Sequence, residues 1–294
     1  MRWEGRRRSS QVEDRRGFPG GGRGLAAGGC GTVVLVILFA WLTGSDPLAL
    51  LQQVQETGGV AVGVDAPTAP AGPQTTGDAQ EDRLAEMASV VLADTEETWG
   101  EIFAGEGARY ELPTLVIFRG SVQSACGFNS AAVGPFYCPA DRKLYLDLSF
   151  FDDLHRRFGA PGDFAQAYVI AHEVGHHVQN LLGIAERATR AQQNARSREQ
   201  ANRISVAMEL QADCLAGVWG AAAAERGLLE PGDAEEGLGA AAAIGDDRMQ
   251  KSTQGYVTPE SWTHGSSAMR VEWFRKGLST GDPDQCDTFG AGVL

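Results

Sequence analysis

The strongest chemical signal in this 294-residue chain is the run His172-Glu173-Val174-Gly175-His176. On a helix, residues four apart lie one above the other, so His172 and His176 can present two imidazoles to one metal ion. Neutral imidazole suits Zn²⁺, and one Zn²⁺ per chain is expected. Glu173 projects to the neighbouring side of the helix, where it can reach a zinc-bound water, take its proton and return it to a leaving amine. A hydrolytic zinc site needs a third protein ligand and an open fourth position. Glu199, Glu209, Asp213 and His264 are the downstream candidates. Glu209 and Asp213 stand four apart in the apolar stretch from Val206 to Trp219. Buried carboxylates require a cation or donors. One zinc satisfies both if Glu209 binds it and Asp213 accepts the second ring N–H of a ligand histidine. Reversed roles, with Asp213 the ligand, or salt bridges to Arg203 or Arg226 are the alternatives.

Two further groups are candidate catalytic residues. His264, in a Gly/Ser/Thr-rich loop, could donate to the oxyanion of a tetrahedral intermediate, and Tyr256 could do the same; a loop-ordering hydrogen bond is the competing role. His177, about 100° around the helix from His176, is expected to pack or to contact a carboxylate. His155 carries no distinguishing feature.

These residues need rigid supports. The segment Asp163–Leu182 reads as a helix, rich in Ala, Val and Ile, with Asp163 placed to cap its start. Gly175 costs this helix up to about 1 kcal/mol of propensity, which implies close packing by another segment. Leu84, Met87, Val91, Thr95, Trp99 and Ile102 recur at helical steps, giving an amphipathic helix. Pro113–Arg119 and Lys143–Ser149 read as strands around a Gly-rich loop. Helices are expected over about 150–158, 163–182, 186–227 with a break, 233–244 and 266–278. The fold class is α+β in one domain, mainly helical with a small sheet.

The formal net charge of −13 is unevenly spread. Residues 1–24 carry seven arginines against three carboxylates, residues 25–44 carry no charge, and the remainder is strongly acidic. An acidic body disfavours nucleic acid as a partner. Twenty uncharged residues span about 30 Å as a helix, the thickness of a bilayer core. With arginines on one flank only, the reading is one transmembrane helix at 25–44, inserted in the lipid bilayer with a cytoplasmic N-terminus. A cleaved signal peptide is the alternative. The organisation is then a basic cytoplasmic tail (1–24), an anchor (25–44), a Gly/Pro/Thr-rich linker (45–80) and an extracytoplasmic domain (81–294), making this a single-pass cell-membrane protein. Besides Cys30, the chain has Cys126, Cys138, Cys214 and Cys286, which allow three pairings. Cys126 and Cys138, nearest in sequence, bracket a turn-rich loop, leaving Cys214 with Cys286; four free thiols are the alternative, disfavoured in an oxidising compartment.

His172-Glu-Val-Gly-His176, followed 33 residues later by Glu209-Leu-Gln-Ala-Asp213, resembles the gluzincin pattern. Gly134-Pro-Phe-Tyr-Cys-Pro139, Tyr145–Phe151, Glu209–Trp219, Thr263-His-Gly-Ser-Ser267, Gly281-Asp and Cys286-Asp-Thr-Phe289 are similar to stretches of the bacterial putative neutral zinc metallopeptidase family. The resemblance covers about residues 81–290 and implies a zincin-like fold. It further implies His172, His176 and Glu209 as ligands, Glu173 as catalytic base, a single N-terminal membrane segment, and a peptide or protein substrate. By the same resemblance an edge strand ahead of the active-site helix pairs with the substrate backbone, and Lys143–Ser149 stands in the right order for it; a plain internal strand is the alternative. Competing functions are a non-catalytic extracytoplasmic zinc-binding interaction module and a zinc amidase acting on cell-wall peptides. Glu173 favours hydrolysis, since structural zinc needs no such carboxylate, and no Gly-x-Ser-x-Gly elbow offers a serine route.

Overall fold

The computed structural model describes residues 1–17 and 72–290. Strand β1 (Val12–Asp14) is followed by helix α1 (Ala79–Gly105), β2 (Thr114–Phe118), β3 (Ser121–Ser124), β4 (Gly127–Ser130), β5 (Phe136–Cys138) and β6 (Lys143–Asp147). The chain then turns helical: α2 (Ser149–Arg156), α3 (Asp163–Leu181), α4 (Ile184–Gln193), α5 (Arg198–Glu225), α6 (Asp233–Ala243), α7 (Asp246–Gln254) and α8 (Ser267–Thr280). The main sheet has the order β1-β2-β6-β5, with β1 and β6 parallel to β2 and β5 antiparallel to β6, while β3 and β4 form a separate hairpin.

Local chemistry sets several element ends. The Asp78 side chain accepts from the amides of Gln80 and Glu81 at the start of α1, and Ser197 and Ser266 cap α5 and α8 in the same way. Asp163 does not cap α3. It is the first helical residue and takes the Met1 ammonium at 2.8 Å, while Glu236 of α6 accepts from the Phe164 amide.

The main core cluster joins β1, β2 and β6 to helices α1, α2, α3, α5, α6 and α8. Phe164 stacks on Trp219 with centroids 5.7 Å apart, and Tyr168 meets Phe274 edge-on at 4.9 Å. Helices α5 and α8 touch backbone to backbone. A Cβ on Gly277 would stand 1.9 Å from the Cys214 carbonyl oxygen, and one on Gly217 would stand 2.2 Å from that of Phe274. Disulfides join Cys126 to Cys138 and Cys214 to Cys286.

The single-pass arrangement expected from the charge pattern is overturned by two findings. Among the described residues, no helix is long and apolar enough to cross a membrane. Residues 1–17 also belong to the same compact unit as residues 72–290. Trp3 and Val12 are buried, β1 adds a strand beside β2, and the Arg16–Asp14 pair is enclosed behind it. One crossing between residues 25 and 44 would put the two parts of this unit on opposite sides of a bilayer. The expected anchor at 25–44 itself lies outside the described residues, as does most of the expected linker. The arginines read as a topological signal instead make ion pairs, Arg7 with Glu96 and Arg16 with Asp14 and Asp82.

Removing one partner of a fully buried pair costs about 3–5 kcal/mol. Arg16 retains Asp82 at 3.2 Å, so Asp14→Ala should cost somewhat less, about 2–3 kcal/mol. Urea unfolding measures this; a loss below about 0.5 kcal/mol, the usual surface value, would mean that the N-terminal strand is not part of the folded unit.

Candidate metal centre

Helix α3 is apolar on nearly every side, and His172, Glu173 and His177 are buried in it with Val174 and Val178. It meets α5 at the glycine inside the motif. A Cβ on Gly175 would lie 2.9 Å from the Ala212 carbonyl oxygen and 3.0 Å from its Cα. That close approach brings the carboxylates on either side of Ala212's turn, Glu209 and Asp213, against the two histidines.

His172 Nε2 lies 3.1 Å from Glu209 Oε2, and His176 Nε2 lies 3.4 Å from Glu209 Oε1. These three residues are a group whose ligand atoms could hold one metal ion. Ligand atoms about 2.0–2.1 Å from a tetrahedral zinc stand about 3.3 Å from one another, so the observed spacings fit. The outward nitrogens are already engaged: His172 Nδ1 with Asp213 Oδ1 at 2.8 Å, and His176 Nδ1 with Gln179 Oε1 at 2.9 Å. Both Nε2 atoms therefore face Glu209, and in the neutral rings they carry the lone pairs. The pull that would hold a cation also acts on protons. Burial opposes charge on His172, but Asp213 and Glu209 override it and raise its pKa to about 10. His176 is raised too, against its burial, by Glu209. Zinc would compete with those protons.

Asp213 does more than accept from His172. Although burial opposes its ionisation, Arg270 and His172 hold its pKa below the ordinary range. Arg270 Nε donates to Asp213 Oδ2 and its Nη2 to Oδ1, both at 2.8 Å, and the Tyr168 hydroxyl donates to Oδ1 as well. Nothing in the sequence marked Arg270 or Tyr168, because they approach Asp213 from α8 and α3 across 57 and 45 residues. The salt bridges expected as one alternative are not formed among the described residues: Arg203 pairs with Glu199, and Arg226 pairs with Asp94.

The group opens into a cavity of about 770 Å³ lined by His172, Glu173, His176, Glu209, Arg270 and His264, with Phe136, Tyr137, Phe150, Phe158 and Val169 among its apolar walls. Glu173 is 9% exposed, and burial raises its carboxyl pKa while His176 and His172 pull it down. His264 is brought to the cavity. Asp246 Oδ2 accepts the backbone amides of Thr263, His264 and Gly265 at 2.8, 2.7 and 3.1 Å, and Asp246 Oδ1 lies 3.2 Å from His264 Nδ1. The Asp246 hydrogen bond raises the His264 pKa. Tyr256 is not brought there: it is 63% exposed and does not line the cavity. His155 and Glu199 are exposed elsewhere.

Among the described residues, no carboxylate contacts His177. Its Nε2 donates to the Glu111 carbonyl at 2.7 Å and its Nδ1 accepts from the Tyr137 hydroxyl at 3.0 Å, with burial pushing its pKa down to about 4. This ties α3 to β5. Lys143–Asp147 is the interior strand β6, so the sheet edge beside the cavity is β5 instead.

Replacing Gly175 by alanine tests whether helix spacing sets the site. Alanine gains about 1 kcal/mol of helix propensity, and overpacking against Ala212 costs about 1–3 kcal/mol. Urea unfolding should thus show a loss of at most about 2 kcal/mol. Zinc affinity, measured by chelator competition, should fall at least about tenfold because Glu209 and Asp213 move with α5. Wild-type affinity would show that this contact does not fix the ligands.

The chain is similar to the uncharacterized protein YpfJ of Escherichia coli strain K12, with 49% identity over 300 residues and full coverage of both chains. It is also similar to the uncharacterized protein Rv2575 of Mycobacterium tuberculosis strain H37Rv, with 42% identity over 269 residues, covering 87% of this chain and 86% of the relative. No solved structure matches it. The family described as putative neutral zinc metallopeptidase matches residues 1–289, and this chain belongs to that family.

Proposed function

We propose that the chain is a zinc-dependent peptidase in which His172, His176 and Glu209 hold one zinc ion and Glu173 is the general base. The observation that carries this reading is the convergence of both Nε2 atoms on the Glu209 carboxylate at 3.1 and 3.4 Å, with both Nδ1 atoms engaged elsewhere. Bound zinc supplies Lewis acidity, which polarises the scissile carbonyl and makes a water acidic near neutral pH.

The chain's own groups do the rest. An extended peptide adds to the β5 edge at Phe136–Cys138 through main-chain hydrogen bonds, which lays its backbone along the cavity. Glu173 accepts the proton of the attacking water and passes it to the amine that leaves, so no covalent enzyme intermediate forms. Its raised pKa suits both acceptance and return of the proton. His264, whose charged form the Asp246 hydrogen bond favours, donates from Nε2 to the oxyanion of the tetrahedral intermediate. Asp213, itself held by Arg270, fixes the His172 ring. A non-catalytic zinc module would leave Glu173 without a role on the cavity wall.

Glu173→Gln should retain one zinc per chain and lose about 10²–10⁴-fold in hydrolysis of a fluorogenic peptide; hydrolysis at the wild-type rate would remove Glu173 as the base. Glu209→Ala should lose most of its zinc, whereas full retention would move the ligand role to Asp213 or His264. Activity should decline as pH rises through the raised His264 pKa. In Asp246→Asn that alkaline limb should move to lower pH, because the carboxylate that stabilises the imidazolium is gone. An unmoved limb would assign the decline to another group.

A further inference from the structure

Beyond the ligands, the motif histidines are held differently. His172 leans on a carboxylate, while His176 leans on a neutral amide whose orientation is set several residues away. Gln179, fully buried on α3, accepts from His176 Nδ1 through Oε1 at 2.9 Å. Its Nε2 donates to the Met208 carbonyl at 2.7 Å and to Gln211 Oε1 at 3.0 Å. Gln211, 8% exposed on α5, donates from Nε2 to the Cys286 carbonyl at 3.0 Å. Cys286 is in turn bonded to Cys214, three residues beyond Gln211 on α5.

The polarity of this chain is not free. A backbone carbonyl can only accept, so Cys286 obliges Gln211 to present its nitrogen there and its oxygen to Gln179. Met208 and the Gln211 oxygen then both require the Gln179 nitrogen, which leaves the Gln179 oxygen for His176. An amide oxygen can only accept, so the proton of the neutral His176 ring is on Nδ1 and the lone pair is on Nε2, the atom beside Glu209. The reversed relay would set two carbonyl oxygens against each other and place the ring proton on Nε2, where a metal ligand needs its lone pair.

We propose that Gln179 and Gln211 are positioning residues for His176: an amide relay, anchored at the Cys286 carbonyl by the Cys214–Cys286 disulfide, fixes the tautomer and ring orientation that His176 needs to bind a metal ion. The proposal rests on the reading of His176 as a ligand. Gln211 touches neither His176 nor the cavity, so it acts only through Gln179.

The test measures zinc affinity of the full chain by competition with a chromophoric chelator, and the ligand-field spectrum of the cobalt-substituted protein. Gln179→Leu should weaken zinc about 10–100-fold and alter the cobalt bands. Gln211→Leu should weaken it less, because Met208 still orients Gln179. The double variant should bind no more weakly than Gln179→Leu alone, since removing the middle of the relay already isolates its far end. The Cys214→Ala/Cys286→Ala chain should match Gln211→Leu in affinity, with thermal melts confirming that each variant is folded. Wild-type affinity and spectra in both glutamine variants would overturn the relay, as would losses that multiply in the double variant, because Gln211 would then act independently. A wild-type chain that binds no zinc would instead remove the metal reading on which the relay rests.

Discussion

The close crossing of α3 and α5 at Gly175 and Ala212 is the contact on which the site depends. With no side chain at Gly175, the helices approach until a Cβ there would meet the Ala212 backbone at 2.9–3.0 Å. At that separation Glu209 and Asp213 reach the two imidazoles directly, one at the inner nitrogens and one at an outer nitrogen. Burying two carboxylates against two histidines is costly unless positive charge is shared among them. Arg270 supplies part of it behind Asp213. The remaining demand is expressed at the Nε2–Glu209 face, which is where a metal ion fits. A residue that costs helix propensity fits here because spacing, not helicity, is limiting at this point.

The same logic repeats outward. Gly217 and Gly277 let α8 lie against α5 closely enough for Arg270 to reach Asp213. The Cys214–Cys286 bond fastens the segment after α8 to the helix that carries Glu209. On the other side of α3, His177 and Asn180 hold Tyr137, and so fix the edge strand next to the cavity. A neutral His177 is needed there, since its Nδ1 must accept from the tyrosine while its Nε2 donates to a carbonyl.

How much of this was legible in the sequence follows from how local each feature is. The histidine–glutamate spacing, the apolar flanks of α3 and the four-residue step from Glu209 to Asp213 are helical patterns, readable from a dozen residues each. The glycine in the motif correctly signalled close packing, though not which segment packs there. Arg270, Tyr168, Gln179 and Gln211 were not legible as site residues: a buried arginine and two buried glutamines look like surface polar residues until tertiary contacts give them partners. Lys143–Ser149 proved to be the internal strand that stood as the alternative, and the edge itself was missed because Phe136–Cys138 is only three residues long and lies in what reads as a loop. The larger error concerned the N-terminus. Arginines beside an uncharged run carry the same composition whether they face a membrane or pair with acids. Here Asp14, Asp82 and Glu96 are those acids, and Val12 and Trp3 join the core.

The proposed metal-binding face is made of two imidazoles and one carboxylate, with no sulfur. X-ray absorption at the zinc edge of the zinc-loaded full chain reads the ligand types directly. The expected result is a first shell of nitrogen and oxygen at about 2.0–2.1 Å with the outer-shell scattering of two imidazoles. A shell containing sulfur at about 2.3 Å, or one without imidazole scattering, would contradict it.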